Sequence, residues 1–185
     1  FFDSKNPALR ESAVVTLRYL NQVVRFEPAL ALASDDSEVV RRATMLTLGH
    51  LSDEAVVPTL CKALATDDDW QVRRNAAQAL DLQKPQAAIP ALVSALEDDH
   101  WQVRKFTARA LQQVADDTAI PCLVKALSDE YSDVRRDAAI ALGNLGNPSV
   151  LSALKQTLDD PDRDVQIFSE RAIQKIQDQL AETNA

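Results

Sequence analysis

The sequence predicts an all-α protein: a right-handed α-solenoid of about five and a half copies of a 31-residue helix pair. Three observations predict it. The phrase DDDWQVRRNA at 67–76 returns as DDHWQVRKFT at 98–107, 31 residues later. Apolar residues recur with helical spacing and show no strand-like alternation. Three glycines and 5% aromatics within a 46% hydrophobic composition suit helices.

The register is set by Val72, Val103, Val134 and Val165, each 31 residues after the last. Val40 fits with one extra residue after it, and Leu9 lies 31 before Val40. Six copies follow, starting near residues 6, 35, 67, 98, 129 and 160, in one solenoid spanning 1–185. The turns are punctuated by cap-forming residues: Asn6-Pro7, Asp67-Asp68, Asp98-Asp99, Asn147-Pro148, Asp160-Pro161.

Helix A comes next. Counting from the anchoring residue, its buried stripe runs through the anchor, +4, +8 and +11. Position +4 is small (Ala13, Thr44, Ala76, Thr107, Ala138, Ser169), and +8 is Leu17, Leu48, Leu80, Leu111, Leu142 or Ile173. Gly49, Gly143 and Gly146 fall where helix A should end, as caps. Helix B carries its stripe at +17, +20 and +24, for example Ile89, Leu92 and Leu96. Pro58, Pro90 and Pro121 at +18 put its start at or just before each proline, where amides lack intrahelical partners. One such pair cannot bury its own stripe, whereas stacked pairs share a core. At ~8–10 Å between packed helices the stack is roughly 50 Å long.

The formal charge is −8 and the pI about 4.7. A nucleic-acid footprint is basic, so this balance argues against DNA or RNA, and against anionic membrane surfaces. No apolar run approaches the ~18 residues of a membrane helix. Two cysteines 61 positions apart form no disulfide framework, which points to the cytoplasm. Phe1 is not a start methionine, so a processed or trimmed chain is expected, and Phe1-Phe2 reads as the tail of an earlier helix B.

The pattern D-D-x-x-x-V-R-R-x-A-A-x-A-L, then A-I-P-x-L-x-x-A-L, is carried by Asp67, Val72, Arg73, Arg74, Ala76, Leu80, Ile89, Pro90 and Leu92, and again one repeat later. It resembles the short HEAT repeats, and within them the cyanobacterial phycobilisome bilin-lyase type, over nearly the whole chain. The resemblance implies HEAT-like helix pairs and a protein-binding scaffold, with a phycobiliprotein or another HEAT-repeat subunit as partner. It also implies two alternatives. One is a lyase subunit or chaperone that holds phycocyanobilin as a transient ligand. The other is an accessory factor for an iron–sulphur carrier.

Classical catalysis is poorly supplied: His50 and His100 are the only histidines, neither followed by Glu, and there is no phosphate loop or nucleophile elbow. No catalytic residue, resident cofactor or metal site is expected. A lyase would need none, because the attacking thiol belongs to the acceptor and the solenoid contributes positioning.

Two surfaces remain as binding candidates. Asp at −5 (35, 67, 98, 129, 160) and Arg at +1 (10, 41, 73, 104, 135) each recur in five of the six copies, and such recurrence favours a structural ladder in which Asp caps helix A and also pairs with Arg from its own or the next repeat. Trp70 and Trp101 at −2 lie about 120° from the buried stripe and should face solvent. They form either i,i+4 cation–π pairs with Arg74 and Lys105 or an aromatic docking patch joined by His100 and Tyr131. On helix B the arc at +15, +19, +22 and +23 is mostly small, reading as a concave groove. Lys62, Ala91, Ser94, Cys122 and Lys125 line it, with the lysines reaching for carboxylates. Cys61 falls on the buried side, about two repeats from Cys122, too far to share a bond or metal.

Overall fold

The structure, a computed structural model, describes residues 1–19 and 27–183. Among them it has eleven α-helices and no strand. The A helices are α1 (Pro7–Leu17), α3 (Glu38–Leu48), α5 (Trp70–Gln83), α7 (Trp101–Val114), α9 (Ser132–Leu145) and α11 (Arg163–Thr183). The B helices are α2 (Glu27–Ala31), α4 (Val56–Thr66), α6 (Ile89–Ala95), α8 (Ile120–Ala126) and α10 (Leu151–Gln156). Each A helix packs on the next A helix, and α4, α6, α8 and α10 each pack on the A helix that follows. This is an α-solenoid of five pairs and a closing A helix.

The core follows the repeat register. Val40, Val72, Val103, Val134 and Val165 are fully buried, as are the +8 leucines from Leu48 to Leu142. Leu9 departs from the pattern at 42% exposure, because no helix lies ahead of α1 among the described residues to cover it. Helix B keeps its expected stripe at +20 (Leu60, Leu92, Leu123, Leu154) and at +24 (Leu64, Leu96, Leu127), with Leu158 exposed; +16 (Val56, Ala88, Ala119, Val150) is fully buried as well, while at +17 Ile89 is buried and Val57, Ile120 and Leu151 are half-buried. Position +16 is carried by a 3-10 turn ahead of α6, α8 and α10, whose last residue already packs inward. The prolines stand where expected, one residue inside α6 and α8 and two inside α4.

Gly143 does not cap α9 but sits inside it. A Cβ there would lie 2.6 Å from the Ala172 Cβ of α11, and one at Gly49 would lie 3.0 Å from Ala79 on α5. Both glycines occupy +9 and face an alanine at +7 of the next copy, so they let adjacent A helices approach closely. The cap of α9 is Gly146, with φ 71°. Lys84 adopts the same left-handed cap after α5.

The Asp–Arg columns form a ladder that always reaches forward one repeat. Each arginine donates Nε and Nη2 to one carboxylate: Arg10 to Asp35, Arg41 to Asp67, Arg73 to Asp98, Arg104 to Asp129, Arg135 to Asp160. Nη1 donates to a main-chain carbonyl of its own turn, such as Asp98 O for Arg104 at 2.8 Å. The aspartate therefore does not cap helix A. Its carboxylate accepts the N–H two residues on, as from His100 to Asp98 at 2.8 Å, and the cap residue stands at −3. Hydrogen bonds from Arg10 and Arg135 hold the Asp35 and Asp160 carboxyls below the usual carboxylate range. The last copy has Gln166 in place of arginine; it keeps the bond to Asp160 O at 2.7 Å.

Candidate interaction surface

Asp69, His100 and Tyr131 are the N-caps of α5, α7 and α9, and Trp70 and Trp101 are the first helical residues of α5 and α7. A helical side chain leans back toward the helix N-terminus, so a ring at the first position lies over its own turn. There it meets the cap residue of the following repeat. Trp70 stacks on His100 with centroids 3.7 Å apart and planes 9° from parallel, and Trp101 stacks on Tyr131 at 4.9 Å and 11°. His100 and Trp101 stand 6.4 Å apart at 16°, which joins the two pairs into one four-ring ladder across three repeats.

The tryptophans thus do not point free into solvent as the helical arithmetic implied. Both are half-buried, and Trp70 packs against the core cluster. Tyr131 remains 39% exposed at the end of the ladder. The signal for the stacking was in the sequence: Trp70 to His100 and Trp101 to Tyr131 are both steps of 30 residues. At the next boundary the same two positions hold Ser132 and Asp162, a polar pair in which Ser132 lowers the Asp162 pKa.

Lys105 lies over the Trp101 ring at 5.9 Å as expected, and its ammonium also meets Asp133 at 2.9 Å. Arg74 does not pair with Trp70. Its guanidinium lies 5.8 Å from the Phe106 centroid and donates Nε and Nη2 to Asn75 Oδ1 at 3.0 and 2.6 Å. Burial, with a smaller push from Arg42, lowers the Arg74 pKa. Burial, then Arg73, Arg104 and Arg74, also lowers the His100 pKa against the pull of Asp98. His100 Nδ1 accepts the Gln102 N–H at 3.3 Å, so the imidazole serves as cap and as rung.

The helix B face carries a row of open depressions between successive repeats. One of about 140 Å³ includes Lys62 and Thr59, one of about 650 Å³ includes Cys122 and Lys125, and one of about 330 Å³ includes Ala153 and Gln156. Ala91 is half-buried and Ser94 exposed on the same face. The arc is narrower than expected: Ala63, Ala95, Ala126 and Thr157 at +23 are buried. Thr157 Oγ1 meets Ser169 Oγ at 2.6 Å, which shows that +23 faces the next A helix. Lys125 is committed to Glu97 at 2.6 Å, an exposed pair. Cys122 is half-buried on the groove; Cys61 is half-buried too, and burial pushes its thiol pKa up. Among the described residues no three His, Cys, Asp or Glu side chains are grouped to hold a metal, and no helix is long and apolar enough to cross a membrane.

The sequence profile of HEAT repeats matches residues 1–81, 26–105 and 89–174. Among solved structures, an engineered protein superposes with TM-score 0.73 at 23% identity, over 95% of this chain and 93% of that one. A chain from the complex of CpcE and CpcF of phycocyanin lyase from Nostoc sp. PCC7120 superposes with TM-score 0.75 at 26% identity. That match covers 84% of this chain and 66% of that chain. A designed armadillo repeat protein in complex with the peptide (KR)4 superposes with TM-score 0.71 at 18% identity, over 95% and 96%. No curated protein matches by sequence.

Proposed function

Because the chain belongs to the HEAT-repeat family, we propose that it is a protein-interaction scaffold whose partner docks along the ring ladder at the N-terminal ends of α5, α7 and α9. The ladder carries this reading. Rigid, flat side chains with few rotamers bind at low entropic cost, and half-buried Trp and Tyr are the residues most often found at the energetic centre of an interface. The helix B groove offers a second, adjoining face. The partner proposed is a phycobiliprotein or a second HEAT-repeat subunit, a choice supported by the 26% likeness to the phycocyanin lyase chain.

Calorimetric titration with apo-phycocyanin tests it. The wild-type chain should bind, Trp70→Ala/Trp101→Ala should bind at least about tenfold more weakly, and Ser94→Arg in the groove should change less. Equal affinity of wild type and the double variant would reject the ladder as the docking edge.

The 650 Å³ depression beside Cys122 favours a second reading, a lyase subunit or chaperone that holds a linear tetrapyrrole for transfer. Positioning would be its whole contribution, since the acceptor supplies the thiol. A red-shifted phycocyanobilin band on mixing, followed by coloured acceptor, supports it. A flat titration rejects it.

A further inference from the structure

Position +2 of helix A is a cation in four consecutive repeats: Arg42, Arg74, Lys105 and Arg136. Three of them meet carboxylates. Arg42 pairs with Asp69, the cap of the next repeat, at 2.5 Å. Lys105 pairs with Asp133, at −1 of the next repeat, at 2.9 Å. Arg136 pairs with Asp133 at 2.8 Å and Asp137 at 3.2 Å, at −1 and +3 of its own repeat. Around Arg74 every one of these positions is neutral. His100 stands where Asp69 would serve it, Gln102 and Gln71 where Asp133 would, and Asn75 where Asp137 would. Among the described residues Arg74 pairs with no carboxylate, and its Nη1 makes no hydrogen bond.

The cation is nonetheless held in place and partly stripped of water. Asn75 Oδ1 takes the Nε and Nη2 edge, and Phe106 lies beneath the plane. The Trp70–His100 stack stands one turn ahead of it on the same edge. A fixed guanidinium with an open Nη1 side beside aromatic faces is shaped for a planar anion, and a carboxylate matches it in geometry and charge. The chain's overall charge of −8 does not oppose this at contact, because charges more than about 8 Å away are largely screened at physiological salt, and Arg42, the charge that acts on Arg74, repels it rather than neutralising it.

Resting on the ladder as docking edge, we infer that Arg74 is the anchor for an aspartate or glutamate side chain of the partner. The partner carboxylate supplies the counter-ion that the other three repeats supply from within. The partner surface is therefore acidic at this contact.

The probe is a glutamate-containing peptide free of aromatic residues, with its glutamine counterpart as control. Both tryptophans of the chain lie in the ladder, so their emission reports the contact. The glutamate peptide should change the emission saturably and the glutamine peptide should not. Arg74→Gln should weaken binding about tenfold, and Arg74→Lys should restore part of it. Gln102→Asp copies the Asp133 relation one repeat earlier, so it should raise Tm and compete the peptide off. A wild-type response that Arg74→Gln leaves unchanged, or no response to the glutamate peptide, overturns the inference. Calorimetry separates the two proposals: if Trp70→Ala/Trp101→Ala loses apo-phycocyanin while Arg74→Gln binds it as wild type does, the edge stands and the anchor falls.

Discussion

Asp137 is 5% exposed and shares position +3 with Asn75, 3% exposed, two repeats earlier. Asn75 donates its amide to the Arg42 carbonyl at 2.9 Å, whereas a carboxylate has no proton to give there. Burial accordingly pushes the Asp137 pKa above 3.8, against the pull of Arg136 and Lys105. A raised folded pKa means a stability contribution present below the unfolded value and lost as pH rises through the folded one. Asp137→Asn should therefore stabilise the chain by about 1 kcal/mol at pH 7 in urea unfolding, with the gain vanishing in acid; a less stable variant at pH 7 would contradict this. His100 has the opposite sign. Its depressed pKa makes its contribution complete above about 6.5 and lost as pH falls through the folded value, when the cap acceptor is protonated and the ring is charged beside Arg73 and Arg104. Melts from pH 7.5 to 5 should show a fall in Tm that His100→Asn, which keeps a cap acceptor, largely removes. The burial of Asp137 was not legible in sequence, and His100 stood out there only as a member of the aromatic patch beside Trp101. Both face the preceding repeat, His100 against Trp70 and Asp137 toward Lys105.

At the scale of the element, the period of 31 and the helix A stripe were legible because the same residue types recur at the same depth. On helix B the positions +20 and +24 were legible, but the buried position at +16 was not, because the 3-10 turns that carry it ahead of α6, α8 and α10 leave no distinct residue type behind. The ring ladder was half legible. The tryptophans stood out, yet helical arithmetic takes no account of the backward lean of a first-turn side chain or of the cap one repeat on. The direction of the Arg–Asp ladder was open for the same reason. Its coupling is measurable. Arg104 and Asp129 keep 15% and 9% side-chain exposure and a two-bond contact between repeats. Arg104→Met should cost roughly 2–4 kcal/mol, because it leaves Asp129 desolvated and unpaired. Arg104→Met with Asp129→Asn should cost less than the sum of the two singles, and strict additivity would show that the rung does not couple the repeats.

At the scale of the molecule, the same forward reach serves packing and recognition. Among the described residues each arginine at +1 finds its aspartate one repeat on and each tryptophan finds its ring there, whereas Arg74 at +2 pairs with no carboxylate. A partner following the ring ladder meets the first-turn amides of α5, α7 and α9, which lack intrahelical acceptors and exchange readily unless covered. Amide hydrogen exchange of the chain, alone and saturated with apo-phycocyanin, tests this most directly. The account predicts that binding slows exchange at residues 67–76 and 98–107. Protection confined to residues 89–95 and 120–126 on the groove side, with the ladder edge unchanged in the complex, would contradict it.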